Sequence, residues 1–261
     1  MLALEVAILS ERGGRPYNED ACGHWHSQQQ LFCVVADGAG GHGGGEAAAR
    51  LAVAHLLQNF AQRPTALGDD LHRLVRTANQ AVREGRVPDT ERAQMYSTVV
   101  CLVVDFAAHR AHWAHAGDSR LYWFRGGRII DQTRDHSLVQ SLVDAGLLAQ
   151  DQTRTHPNRS ELRSALGGED HETEITDSGS AREVQAGDVF LLCTDGIWEY
   201  VTEDALEASL ASARSPDDWL AAIEQAVMAA TQHKRSHDNF TALSVWTADA
   251  AAGTNSTHQE A

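Results

Sequence analysis

Residues 31–57 read LFCVVADGAGGHGGGEAAARLAVAHLL. The first six are apolar and rich in valine, as in a buried strand. A glycine-rich turn follows. From Glu46 to Phe60 the apolar residues recur at helical spacing. Gly38, Gly40 and Gly43 satisfy G-x-G-x-x-G in the strand–turn–helix setting of a dinucleotide-binding loop. Two features oppose that reading. The stretch 57–63 (LQNFAQR) holds no carboxylate for a ribose. Asp37 sits directly against the loop, where it would repel a pyrophosphate unless a cation lay between them. No Gly-Lys-Ser/Thr follows, so the loop is not a Walker loop either. Turn glycines alone account for the backbone but not for the carboxylate.

Outward from this stretch, 2–9 reads as a strand and 69–84 as a helix. Strands are expected at 97–106, 111–117 and 119–125, with Gly126-Gly127 turning the last into Arg128–Asp131. Residues 136–147 read as a helix. The polar stretch 148–172, with Pro157 and Gly167-Gly168, reads as a surface excursion. A strand at 188–194, helices at 203–213 and 216–233, and a strand at 239–247 complete the chain. The tail 249–261 is expected to fray. Strands and helices do not alternate as in βαβ units. The expected class is therefore α+β, with antiparallel sheets covered by helices, in a single domain over 1–248.

The 261 residues include 21 basic and 36 acidic side chains, for a net charge of −15, and Lys234 is the only lysine. Such a balance disfavours nonspecific nucleic-acid and anionic-membrane binding, so no nucleic acid and no membrane are expected as partners. No apolar run approaches the ~20 residues of a membrane span. The N-terminus lacks a basic n-region and carries Glu5, unlike a signal peptide. Cys22, Cys33, Cys101 and Cys193 form no Cys-x-x-Cys pair and read as reduced core residues of a cytosolic protein.

Aspartates recur at strand ends. Asp37 and Asp195 each end a strand and precede a glycine. Asp238 precedes the last strand, and Glu19-Asp20 precede the run Ala21–His26. In antiparallel sheets one strand's end and its neighbour's start share an edge, so these carboxylates can converge. Converged carboxylates need compensation, and hard cations such as Mn²⁺ or Mg²⁺ provide it with oxygen ligands. Two such ions about 3.5–4 Å apart would activate a water for in-line attack on phosphorus. The histidines are discounted as ligands. His109, His112 and His115 alternate faces on a strand, and His24 with His26 lack a third ligand. There is neither a Cys-x₅-Arg nor a G-x-S-x-G nucleophile motif.

The motifs extend further: Arg15-Pro16-Tyr17-Asn18-Glu19-Asp20, Val35-Ala36-Asp37-Gly38-Ala39-Gly40-Gly41-His42, and Ala116-Gly117-Asp118-Ser119-Arg120. Thr133-Arg134-Asp135-His136-Ser137, Cys193-Thr194-Asp195-Gly196 and His237-Asp238-Asn239-Phe240-Thr241 follow. In this order and spacing the chain resembles the metal-dependent Ser/Thr protein phosphatases of the PPM type, also called type 2C, in their bacterial branch. The resemblance covers about residues 10–247. It implies a four-layer αββα sandwich, two central antiparallel sheets with helices on both faces. It implies an enzyme in which a metal-activated water attacks the phosphorus of phosphoserine or phosphothreonine in proteins. The cofactors would be Mn²⁺ or Mg²⁺, two per site, with a weaker third.

Residue by residue, the resemblance makes Asp37 the ligand of both ions, with the Gly38 carbonyl. Asp195 and Asp238 complete one ion, while Asp20 serves the other, assisted by Glu19. Asp118 with Asp195 forms the third site. On the same resemblance, Arg15 would grip the substrate phosphate. Ala39 stands where eukaryotic members carry a histidine acid, which leaves His42 or a metal-bound water as the proton source. A mobile flap is expected at about 144–166. The expected partners are phosphoproteins, including a Ser/Thr kinase and its targets, and the expected state is a monomer. A catalytically inactive phosphoprotein-binding relative and a dinucleotide-binding oxidoreductase are the alternatives.

Overall fold

The computed structural model describes residues 2–40, 43–65 and 68–249. His42 and the tail from 250 onward, both singled out in the sequence, lie outside the described residues. In chain order the elements begin β1 (Leu2–Glu11), β2 (Ala21–His26), β3 (Gln30–Ala36), β4 (Gly38–Ala39), α1 (Gly44–Gln62) and α2 (Gly68–Glu84). They continue β5 (Tyr96–Ser97), β6 (Val99–Asp105), β7 (Arg110–Ala116), β8 (Arg120–Arg125), β9 (Arg128–Gln132) and α3 (Leu138–Asp144). A short 3-10 helix (Gln150–Thr155) precedes β10 (Thr176–Asp177), β11 (Arg182–Glu183) and β12 (Val189–Cys193). Then come α4 (Asp195–Trp198), α5 (Glu203–Ser212), α6 (Pro216–Thr231) and β13 (Phe240–Asp249).

Two antiparallel sheets form the centre. One runs β1-β13-β12-β8-β9; the other runs β10-β7-β6-β3-β2, with β11 also on β7. Three apolar layers hold them. Phe32, Val34, Cys101 and Val103 pack outward under α1 and α2, on Leu56, Phe60, Leu71 and Val75. Leu191, Cys193, Tyr122 and Phe124 pack under α4 to α6, on Trp198, Leu206, Trp219 and Ile223. Between the sheets lie Leu31, Cys33, Val35, Leu102, Trp113, Phe190, Leu192 and Leu243. Alternate residues of one strand thus face different layers, the period-two geometry of a strand buried on both faces. The result is the expected αββα sandwich.

Local chemistry explains the boundaries. Gly126 and Gly127 take φ of +58° and +77°, the left-handed pair that a two-residue hairpin between β8 and β9 requires. Thr202 and Ser215 cap α5 and α6 by accepting the backbone N–H three residues on, and Pro216 opens α6. The strand expected at 97–106 is interrupted. Ser97 pairs with Gly38 in the small antiparallel β4–β5 sheet, and Val99 begins β6, with Thr98 between them turned to bond Asp37. The polar stretch 148–172 is anchored by the 3-10 helix and by bridges Ser137–Leu162 and Ser97–Leu166. No described helix is long and apolar enough to cross a membrane.

Candidate active site

Register brings the marked residues to one end of the sandwich. Ala21 pairs with Ala36, which places Asp20 beside Asp37. Val99 pairs with Ala116, and Cys193 with both Arg120 and Ala242. The ends of β3, β7 and β12 and the starts of β2, β8 and β13 therefore share an edge. Asp20, Asp37, Asp118, Asp195 and Asp238 all lie just beyond those strand ends. The first and last strands pair over their full length, and Glu11 opposite Phe240 delivers Arg15 and Glu19 to Asp238.

Asp37 is fixed by its backbone. Its N–H donates to Thr98 Oγ1 at 3.0 Å. Its carbonyl accepts from Thr98 N at 2.8 Å and Ser97 Oγ at 3.0 Å. Thr98 Oγ1 lies 2.7 Å from Ser119 Oγ, which ties Asp37 to the Asp118 loop. Asp20 is buried, and its Oδ2 accepts from Thr194 Oγ1 at 3.0 Å. Asp195 opens α4. The indole Nε1 of Trp198, at the other end of that helix, donates to the Asp118 carbonyl at 2.9 Å. Asp238 Oδ1 accepts from the Asn239 N–H, and its Oδ2 lies 2.6 Å from the Arg15 guanidinium.

The glycine after Asp37 is dictated by crowding. A Cβ on Gly38 would stand 2.1 Å from the Gly45 carbonyl oxygen and 2.7 Å from that of Glu19. Both are backbone atoms that cannot swing aside. Gly38→Ala is expected to lower stability by about 1–3 kcal/mol and to weaken cation binding, by moving the carbonyl that follows Asp37. Urea denaturation and Mn²⁺ titration of the variant check both.

The electrostatics are extreme. Burial pushes the Asp20 carboxyl up to about 7, aided by the Asp238 charge and opposed by hydroxyls of Thr241 and Thr194. Asp118 is also pushed up to about 7, by burial and by Asp135, with Arg120 opposing. Asp37 and Asp195 rise well above the usual carboxylate range: burial is the first cause in each, and neighbouring carboxylates are the second. Glu19 is raised by burial. Three carboxylate oxygens of this group, Glu19 Oε1, Asp20 Oδ1 and Asp195 Oδ1, are shut off from solvent with no hydrogen-bond partner. Buried anionic oxygens without donors are costly unless a cation serves them. Among the described residues no group of three or more His, Cys, Asp or Glu is gathered tightly enough to hold an ion as it stands. The oxygen-only donors and orphaned atoms fit hard divalent cations.

Several supporting residues were not assigned roles from the sequence. Asn239 is the chief one: its Oδ1 accepts from Glu19 N at 2.8 Å, and its Nδ2 donates to the carbonyls of Arg12 and Tyr17. It welds the loop carrying Arg15 to the last strand. Arg120 forms a buried two-pronged pair with Asp135, at 2.9 and 2.8 Å, and stacks 3.8 Å above the Trp198 ring. Their signal lay in motif membership, which gives position but no partner. The discounted histidines have structural roles. His115 and His136 stack at 4.6 Å, and burial pushes His136 down to about 3. His112 Nδ1 lies 3.3 Å from Ser178 Oγ, and the His24 and His26 rings lie 6.3 Å apart. All four cysteines are unpaired thiols; Cys33, Cys101 and Cys193 are buried as expected, while Cys22, at the start of β2, is only half-buried.

Residues 11–234 match the family described as protein phosphatase 2C. The chain is 35% identical over 213 residues to the serine/threonine protein phosphatase PstP of Mycobacterium tuberculosis. That alignment covers 80% of this chain but 39% of the relative, so the chain spans about two fifths of PstP's length. It is 31% identical over 220 residues to the serine/threonine phosphatase stp of Listeria welshimeri, covering 81% of this chain and 85% of the relative. A solved catalytic domain of PstP in complex with two manganese ions superposes with a TM-score of 0.79 at 29% identity, covering 95% of this chain and all of that one.

Proposed function

The chain belongs to the protein phosphatase 2C family, and on that premise we propose that it hydrolyses phosphoserine and phosphothreonine in proteins, releasing inorganic phosphate. The observation that carries this reading is the gathering of five aspartates at one sandwich edge, with orphaned buried oxygens among them and the Arg15 guanidinium at their rim. So much negative charge would by itself repel a phosphate dianion. Two Mn²⁺ or Mg²⁺ ions, when bound, would reverse that repulsion, activate a water as nucleophile and stabilise charge developing on the phosphoryl oxygens.

The residues divide the work. Asp37 and the Gly38 carbonyl would serve both ions, Asp195 and Asp238 one of them, and Asp20 with Glu19 the other. Asp118 and Asp195 would hold a weaker third. Thr98, Thr194, Trp198 and Asn239 keep these groups in place through the bonds described above. Arg15, half exposed, offers a planar, permanently charged fork to the substrate phosphate. His42 is a candidate to protonate the leaving alkoxide, because Ala39 carries no acid. The segment 144–166 is proposed as the flap that controls access. The substrates are proposed to include a Ser/Thr kinase and its targets in the cytoplasm, met by a monomer.

Mn²⁺-dependent hydrolysis of an aryl phosphate and a phosphothreonine peptide, abolished by EDTA, tests the proposal. Absence of turnover in Mn²⁺-loaded protein would refute it. Arg15→Ala is expected to raise KM for the peptide by roughly 10–100-fold, the loss of one charge-assisted fork. Its effect on stability should stay within about 1 kcal/mol, as for exposed ion pairs. Steady-state kinetics and a thermal melt separate the two.

A further inference from the structure

Two segments more than 200 residues apart, 12–17 and 232–237, are zipped together at the mouth of the site. The Gly14 N–H donates to the His237 carbonyl at 3.1 Å, and Ser236 Oγ donates to the Gly14 carbonyl at 3.0 Å. Gly13 takes a φ of +57°, and a Cβ there would stand 2.2 Å from the Asp238 carbonyl oxygen. The junction is therefore close-packed backbone, and most of its side chains are exposed.

Those side chains share one sign. The two segments carry Arg12, Arg15, Lys234 and Arg235, with His233 and His237, and no carboxylate. In a chain of net charge −15, removing that local +4 leaves −19 for the rest. Arg12, Arg15, Lys234 and Arg235 are exposed. Lys234 is held in place: its Nζ donates to Tyr200 Oη at 3.1 Å and lies 4.3 Å above the Tyr200 ring. Tyr200 follows the short helix that Asp195 opens. Beside Tyr200, Glu199 is neutralised by Arg159 at 2.7 Å, from the segment proposed as the flap. Arg15 engages Asp238 at 2.6 Å and also feels the charges of Glu19 and Asp195 on its site-facing side. Arg235 is three residues from Asp238, a span of about 10 Å at most, the reach of three residues of an extended peptide.

Resting on the phosphatase reading above, we propose that this basic rim selects phosphoproteins with anionic groups, carboxylates or a second phosphate, within about three residues of the phosphorylated position. The acidic remainder of the surface repels such substrates, and the rim attracts them, so approach is steered to the site. Screening shortens that attraction to about 8 Å at physiological salt, so only close flanking groups feel it.

The test compares phosphothreonine peptides with flanking glutamates, a flanking second phosphothreonine, or flanking glutamines, on wild type and on the double variant Lys234→Glu, Arg235→Glu. An aryl phosphate reports the basal chemistry. Expected is a kcat/KM for the anionic peptides about 10-fold above that for the glutamine peptide, fading at about 0.5 M salt. The larger of the two preferences identifies the anion. In the double variant the preference should vanish while aryl phosphate turnover stays within about two-fold of wild type. Equal rates on all three peptides, or a preference kept by the variant, would overturn the proposal. Peptide affinity is also read by fluorescence anisotropy. Loss of all turnover would then refute the phosphatase reading while the preference stays measurable.

Discussion

Asp37→Asn is expected to reduce phosphatase activity by about 10³-fold or more, an energetic loss of at least about 4 kcal/mol in the transition state. The substitution keeps the shape of the side chain and removes its charge. It leaves the clamp intact, because Thr98 and Ser97 bond the Asp37 backbone and not its carboxylate. The cation-free variant should therefore melt no lower than cation-free wild type, and higher above neutral pH. One of several mutually repelling buried carboxylates has gone. A drop in activity accompanied by an equal drop in cation-free melting temperature would indicate a structural role and defeat this assignment. Activity assays with Mn²⁺ and paired melts in EDTA decide between them.

Removing cations is expected to destabilise the protein in a pH-dependent manner. Asp20 and Asp118 are pushed up to about 7 in the folded chain, above their ordinary value of 3.8. The folded state therefore holds more protons than the unfolded state between about pH 4 and 7. Stability in EDTA is greatest below that window and falls as pH rises through it. Each group contributes on the order of 1–4 kcal/mol to that fall, since one unit is worth 1.36 kcal/mol and the groups share their protons. Mn²⁺ binds the deprotonated oxygens, so its stabilisation should be small near pH 5 and full near pH 8. At 100 times the dissociation constant it amounts to about 2.7 kcal/mol, or roughly 5–10 °C in a domain of this size. Melting curves with Mn²⁺ and with EDTA at both pH values check the sign and the size. Equal melting temperatures at pH 8 would mean that these carboxylates do not form a cation site.

Much of the site was legible as strand chemistry. The apolar runs of 31–36, 188–194 and 239–247 are short and β-rich, so their ends were readable, and an aspartate at each end stood out. The antiparallel reading was enough to suggest a shared edge, and the register of Ala21 with Ala36 and Cys193 with Arg120 matches it. What escaped were contacts with no periodic signature. Two-residue strands such as Thr176–Asp177 and Arg182–Glu183 are too short to show alternation. The break at Thr98 in a valine-rich run arises because one hydroxyl must meet the Asp37 backbone, which residue spacing does not encode.

The sequence by itself determined which residues carry the charge, where the longer strands and helices lie, and the family. Those follow from local composition, period and motif. Only the tertiary structure decided that Asn239 joins the Arg15 loop to the last strand, and that Arg120, paired with Asp135, stacks on Trp198. Only it assembled Arg12, Arg15, Lys234 and Arg235 into one rim on an acidic molecule. The physical reason is the pairing of the first strand with the last, Glu11 opposite Phe240, which closes a loop of more than 200 residues. Proximity across such a loop is set by the packing of the whole core and has no trace in any local stretch of sequence.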